Sequence, residues 1–164
     1  EKSPSRENLP PSFGRAARLR GPAWGEAARR LRTAVDTSVL LAVAEKEPGH
    51  EKWEILLHKA AEEGGLCVCP VVFAELSPGS PTADDLQRQL AMLAIEYDDF
   101  SPESARHAGV IFWKYRQAGG PREHLLPDFL VAAHAQIQCG RLAAIDRGYF
   151  RRYFPQLRIL RPPR

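Results

Sequence analysis

No stretch of this 164-residue sequence is long and apolar enough to span a bilayer. The longest apolar runs, at 39–44 and 66–74, fall far short of the roughly 20 residues that a membrane helix needs. Cysteine is scarce as well: there are three, an odd number, with Cys67 and Cys69 at alternate positions of one apolar run. A strand would point that pair to opposite faces, so no disulfide framework is expected and a reduced, cytoplasmic protein is. Nor does a single C-x-C with scattered histidines offer enough nitrogen and sulfur ligands for zinc, and no zinc site is expected. Residue 1 is Glu rather than Met, which fits a trimmed or fused chain. A strong excess of one charge is also missing, the net charge being +3.

What is present, 44% hydrophobic and 26% charged residues, is the balance of one ordinary globular domain with a sizeable core. The small net charge hides an asymmetry. Residues 1–33 carry eight Lys/Arg against three Asp/Glu and the remainder fifteen against seventeen, so a basic arm precedes a near-neutral body. The arm, 1–32, mixes Pro, Ser, Gly and Arg. A short helix over 25–32, with Ala27, Ala28 and Leu31 beside Trp24, would suit docking on a partner but would be marginal alone. The body runs from 33 to 164. Beyond Asp146 no acid follows, whereas Arg147, Arg151, Arg152, Arg158, Arg161 and Arg164 fall within eighteen positions, a cluster suited to phosphates.

From Thr33 short apolar runs alternate with stretches of helical period, the pattern of an α/β domain with a parallel sheet covered by helices on both faces. Strands are predicted at 34–36, 66–69, 142–145 and 157–160. Between them Trp53, Leu56, Leu57 and Ala60 share a helix face that Gly64 can end. Thr82 with Asp85 caps a helix carrying Leu86, Leu90 and Leu93, and Ser101-Pro102 opens one carrying Ala105, Ala108, Phe112 and Tyr115. Gly119, Gly120 and Pro121 lead into a loop, Asp128 starts a further helix, and Gly140 returns the chain to a strand. The helices at 51–63 and 83–95 are candidate dimer surfaces, although packing on their own sheet would give them the same amphipathic pattern.

Four acids fall at the ends of these elements. Asp36 closes the first strand, Glu75 lies in the helical turn after the second, Asp128 opens a helix and Asp146 ends the strand before it, with sequence gaps of 39, 53 and 18 residues. The carboxyl ends of parallel strands share one edge, where open α/β sheets bind ligands, so the four can converge there. Carboxylates brought together repel unless a cation neutralises them. Oxygen-only ligands suit a hard ion, Mg²⁺ or Mn²⁺, and such an ion suits phosphodiester hydrolysis. Thr37 and Ser38 are placed to position a ligand or water.

The segments Val35-Asp36-Thr37-Ser38-Val39-Leu40, Phe73-Ala74-Glu75-Leu76, Pro127-Asp128-Phe129-Leu130-Val131-Ala132-Ala133-His134-Ala135 and Ile145-Asp146-Arg147-Gly148-Tyr149-Phe150 resemble, in order and spacing, the PIN domain, over about residues 33–161. The likeness is greatest to small ribonucleases of the VapC toxin type. It implies a PIN-like three-layer α/β/α fold around a short parallel sheet, a toxin that cleaves RNA with Mg²⁺ or Mn²⁺, a homodimer, and silencing by a small antitoxin. Ala144 departs from the pattern, since many relatives carry Thr or Ser there, so Asp36, Glu75 and Asp128 come before Asp146. The resemblance also suggests that the arm acts like an antitoxin tail, with Arg29 or Arg30 entering the acidic groove.

Plainer readings stand beside these. Asp128 alone could simply cap its helix, and His134, six positions on and off its helical face, is assigned to a packing or surface role rather than chemistry. Glu75, flanked by Val71, Val72, Phe73, Ala74 and Leu76, is expected to be a buried carboxylate in need of a partner. Arg147, Arg151 and Arg152, like Arg122 and His124, fit a solvated face as well as RNA contact. Two rival functions remain: a phosphatase using Asp36 as nucleophile, disfavoured because Ser38 stands where a second Asp would be needed, and a non-enzymatic module binding metal or RNA.

Overall fold

Every strand among the described residues is only three residues long. The computed structural model describes residues 31–120, 126–145 and 149–163. Its strands are β1 (Thr33–Val35), β2 (Leu66–Val68), β3 (Ile95–Tyr97), β4 (Arg141–Ala143) and β5 (Arg158–Leu160). They form one sheet in the order β3-β2-β1-β4-β5, and each neighbouring pair is parallel. In register, Ala34 of β1 lies between Cys67 of β2 and Leu142 of β4. The three central strands are buried throughout, whereas β3 and β5 at the edges are partly exposed. Continuous apolar residues are needed only where both faces are covered.

That difference explains the one strand missing from the sequence reading. Residues 83–95 read as a single helix, but the helix ends at Met92 and Ile95-Glu96-Tyr97 forms β3. An edge strand tolerates an exposed Glu96 and so leaves little hydrophobic signal. Ala94 makes the turn between the two with φ 56, an unusual value for a residue with a Cβ.

The helices follow their local signals closely. They are α1 (Thr37–Ala44), α2 (His50–Gly64), α3 (Pro70–Leu76), α4 (Ala83–Met92), α5 (Pro102–Gln117), α6 (Leu126–His134) and α7 (Tyr149–Tyr153). The Thr82 and Ser101 hydroxyls cap α4 and α5 by accepting from the Asp85 and Ser104 N–H groups, each at 3.1 Å. Pro70 and Pro102 occupy first-turn positions where a missing N–H costs nothing. The helix expected to start at Asp128 starts at Leu126, leaving Asp128 in its first turn. It continues into a π turn, Ala135–Cys139, closed by Gly140 at φ 118. Gly64 ends α2 where the chain entering β1 crosses it: a Cβ there would lie 2.4 Å from the Leu31 carbonyl carbon.

The amphipathic faces of α2 and α4 are largely used by the domain itself, since Leu57, Ala60, Leu86 and Leu90 are buried in its core. Ile55 and Met92 stay exposed on the same helices. Beside the sheet, Phe129 of α6 packs 5.7 Å from Phe112, 5.5 Å from Tyr115 and 5.7 Å from Phe154, ring centre to ring centre. Arg141 is buried at the start of β4, where its guanidinium donates to Glu63 and to the Leu31 and Ala60 carbonyls. No helix among the described residues is long and apolar enough to cross a membrane. The reading of 25–32 as a docking helix, the arm's Arg29 and Arg30, the loop residues Arg122 and His124, and both Asp146 and Arg147 lie outside the described residues or almost wholly so.

Candidate functional site

In a sheet of this order the chain runs outward from β1 through β2 to β3 and then returns to β4 on the other side of β1. The β1/β4 boundary is therefore the topological switch point, where the loops leaving two neighbouring strands diverge and open a crevice. Asp36 is the residue that leaves β1 there. Its backbone N–H donates to Ala143 O of β4 at 2.9 Å, and its side chain caps α1 by accepting from the Ser38 N–H at 3.1 Å. An Asp cap is favoured because its carboxylate satisfies first-turn N–H groups that have no helical partner.

Ser38 and Thr37 turn out to serve the acids directly. The Ser38 hydroxyl donates to Asp36 Oδ2 and accepts from the Ile145 N–H at 3.2 Å, which ties the exit of β1 to the exit of β4. Ile145 immediately precedes Asp146. The Thr37 hydroxyl donates to Glu75 Oε2 on α3. Consecutive hydroxyls at the start of α1 thus hold one carboxylate each, and each bond engages one oxygen of its carboxylate.

Glu75 itself corrects an expectation. It is exposed rather than buried, because Val72 and Leu76 face the core while Glu75 stands on the outer flank of α3. Water and Thr37 solvate it, so the cost of a buried charge does not arise. Asp128 is half-buried in the first turn of α6. Helix α3 packs against both α1 and α6, so the three described acids sit on three neighbouring helices. Their oxygen-only donors are of the type that suits a hard divalent cation rather than a thiophilic one, but the structure does not draw the three together into a ready ligand group. Arg151 and Arg152 are exposed on α7, with the Arg152 guanidinium 5.3 Å from the centre of the Tyr153 ring.

A second constellation escaped the sequence reading. Among the described residues, one group of at least three potential metal ligands has its ligating atoms all within 4.8 Å: Cys67, Asp98, His134 and Cys139. His134, assigned to a packing or surface role, is wholly buried, and its Nε2 is 2.8 Å from Asp98 Oδ2. Burial disfavours charge on the ring, yet the bond to Asp98 and the nearby Cys139 sulfur outweigh it and raise His134 to about 9. Burial likewise opposes the Asp98 charge, but His134 and Arg32 hold that carboxyl below its ordinary value. Cys139 is drawn below the usual thiol range by its bond with Cys67 and then by His134, and Cys67 is pushed up by the same bond and by burial. The C-x-C spacing is no guide to the group: Cys69, equally buried, has its thiol raised to about 11 by burial and stands outside it. Only the spacing from His134 to Cys139 hinted at the real set.

Comparison with known proteins places these features in context. The family model of the PIN domain matches residues 33–154. A search among curated proteins finds no significant sequence match. Among solved structures, the chain resembles VapBC2 of Rickettsia felis, bound to a DNA fragment from its promoter, with 22% identity and a TM-score of 0.60 over 80% of this chain and 99% of that one. It also resembles VapBC-1 of nontypeable Haemophilus influenzae, at 16% identity and a TM-score of 0.58, covering 79% and 96%. DNA-bound VapBC of Salmonella typhimurium is similar at 19% identity and a TM-score of 0.52, with the same coverage. At such identities the likeness is one of fold.

Proposed function

The chain belongs to the PIN-domain family, and from that premise we propose that it is a metal-dependent endoribonuclease, the toxin of a toxin–antitoxin pair. One observation carries the reading: Ser38 and Thr37 hold Asp36 and Glu75 at the start of α1, beside the crevice of the parallel sheet. The ligands for Mg²⁺ or Mn²⁺ are Asp36, Glu75 and Asp128, with Asp146 as the fourth. Bound there, the ion would supply a Lewis acid and a water of lowered pKa for attack on phosphorus.

The chain's own residues prepare that chemistry. The Ser38 bond orients the Asp36 carboxylate before any ligand arrives, and the Thr37 bond does the same for Glu75, which reduces the reorganisation that binding would demand. The exposed Arg151 and Arg152 meet the RNA backbone. The structures of similar fold are of VapBC, which supports a protein antitoxin as partner; the homodimer belongs to the reading through the family resemblance alone.

An RNA cleavage assay with Mg²⁺ or Mn²⁺, comparing the native chain with Asp36→Asn and Glu75→Gln, tests the reading. Cleavage should vanish in both variants and on adding EDTA. Undiminished cleavage by both variants would remove this site from the mechanism, and a native chain that binds RNA without cutting any would favour the non-enzymatic module.

A further inference from the structure

The cluster of Cys67, Asp98, His134 and Cys139 shares no residue with the acidic site. Four chain segments assemble it. Cys67 is the middle residue of β2, and Asp98 follows β3, its N–H donating to Val68 O at 2.9 Å. His134 ends α6 and Cys139 ends the π turn. That turn, closed by the Gly140 N–H donating to Ala135 O at 2.7 Å, sets Cys139 Sγ 4.0 Å from His134 Nδ1. Such i→i+5 closures are rare and are found frequently at functional sites.

The geometry is close to that of a bound ion. Cys67 Sγ and Cys139 Sγ are 3.4 Å apart, and all four ligating atoms lie within 4.8 Å of one another. Tetrahedral zinc with bonds of about 2.0–2.3 Å sets its ligand atoms roughly 3.3–3.8 Å apart. The two sulfurs already stand in that range, and a shift of about half an ångström would bring Cys139 Sγ and His134 Nδ1 into it.

Two further features fit an ion better than a mere core contact. The ring of His134 is held at Nε2 by Asp98 Oδ2, which also accepts from Arg32 at 3.0 Å and from Gln138 at 3.2 Å, so Nδ1 is the nitrogen turned toward sulfur. Metal-binding histidines are commonly oriented by a carboxylate in this way. Charge also balances: two thiolates and the Asp98 carboxylate offset a divalent cation and the Arg32 guanidinium. In so buried a place an unbalanced charge would be costly.

We propose that Cys67 Sγ, Cys139 Sγ and His134 Nδ1 ligate a borderline-soft divalent cation of the Zn²⁺ class, with Asp98 orienting the ring from its far side. Sulfur and imidazole ligands select against the hard ions that suit the acidic site. With Cys67 and His134 wholly buried and Cys139 2% exposed, the ion is structural. It braces β2 and the exit of β3 against the turn that leads into β4.

The test uses the reduced full chain, stripped of metal by a chelator and titrated with Co²⁺. Thiolate-to-cobalt charge-transfer absorption should rise to about one ion per chain and be bleached by Zn²⁺. Cys69→Ser and Asp36→Asn should keep it. Asp98→Asn should weaken binding about 10–100-fold, and Cys67→Ser and Cys139→Ser should weaken it at least as much. A folded native chain without the absorption, absorption that survives in both Cys67→Ser and Cys139→Ser, or its loss in Asp36→Asn would overturn the proposal. X-ray absorption of the Zn²⁺-loaded native chain decides the matter without any variant. Sulfur neighbours at about 2.3 Å support the site, and a shell of oxygen and nitrogen alone refutes it.

Discussion

Ser38 links two strand exits and one acid through a single hydroxyl, so its removal should be felt twice. In Ser38→Ala the Ile145 N–H loses an acceptor and Asp36 loses a donor. Stability should fall by about 1 kcal/mol in urea unfolding. On the proposed function, kcat should fall roughly 10–100-fold with little change in KM, since the loss is one of orientation. An unchanged kcat would mean that Asp36 is not positioned through Ser38. A different residue pair makes a prediction in pH. Glu63 is held below its ordinary value of 4.5 by the bond from buried Arg141. A depressed carboxyl stabilises the fold above 4.5 and loses that contribution as pH falls through its folded value. The Tm of Glu63→Gln should therefore lie below that of the native chain at neutral pH, and the gap should close below about pH 4.5. A gap constant with pH would assign the effect to packing.

Helices and turns were legible in the sequence to the extent that their signals are local. Thr82, Ser101, Pro102 and Gly140 each act within a few residues, and each does in the structure what its type predicts. The same holds for Asp36, whose short polar side chain caps α1 at the exit of β1. Gly64 is a different case. A helix-ending glycine is expected from sequence, but its closeness to the Leu31 and Arg32 backbone depends on the path of the chain into β1. Gly64→Ala should cost about 1–3 kcal/mol in urea unfolding, the usual range for overpacking. A neutral or stabilising result would show that the entering strand yields at no cost. Strand β3 was lost for the opposite reason: its neighbours in the sheet, rather than its own pattern, make Glu96 part of a strand.

At the scale of the whole molecule, the sheet leaves some large apolar side chains without cover. Trp113 is 61% exposed on α5 and Ile55 72% exposed on α2. On the homodimer reading the purified chain should run at twice its monomer mass in light scattering at micromolar concentration. A monomer at every concentration tested would withdraw the homodimer while leaving the nuclease reading in place.

The sequence alone determined the alternation of strands and helices, most element ends, and the placing of Asp36, Glu75 and Asp128 at such ends, because periodicity and capping are properties of near neighbours. Only the tertiary structure decided that Glu75 is exposed, that Thr37 and Ser38 each hold an acid, and that Cys67 meets Cys139 across 72 residues while Cys69 does not. Exposure and convergence depend on which distant segments pack together, and no short-range pattern encodes that.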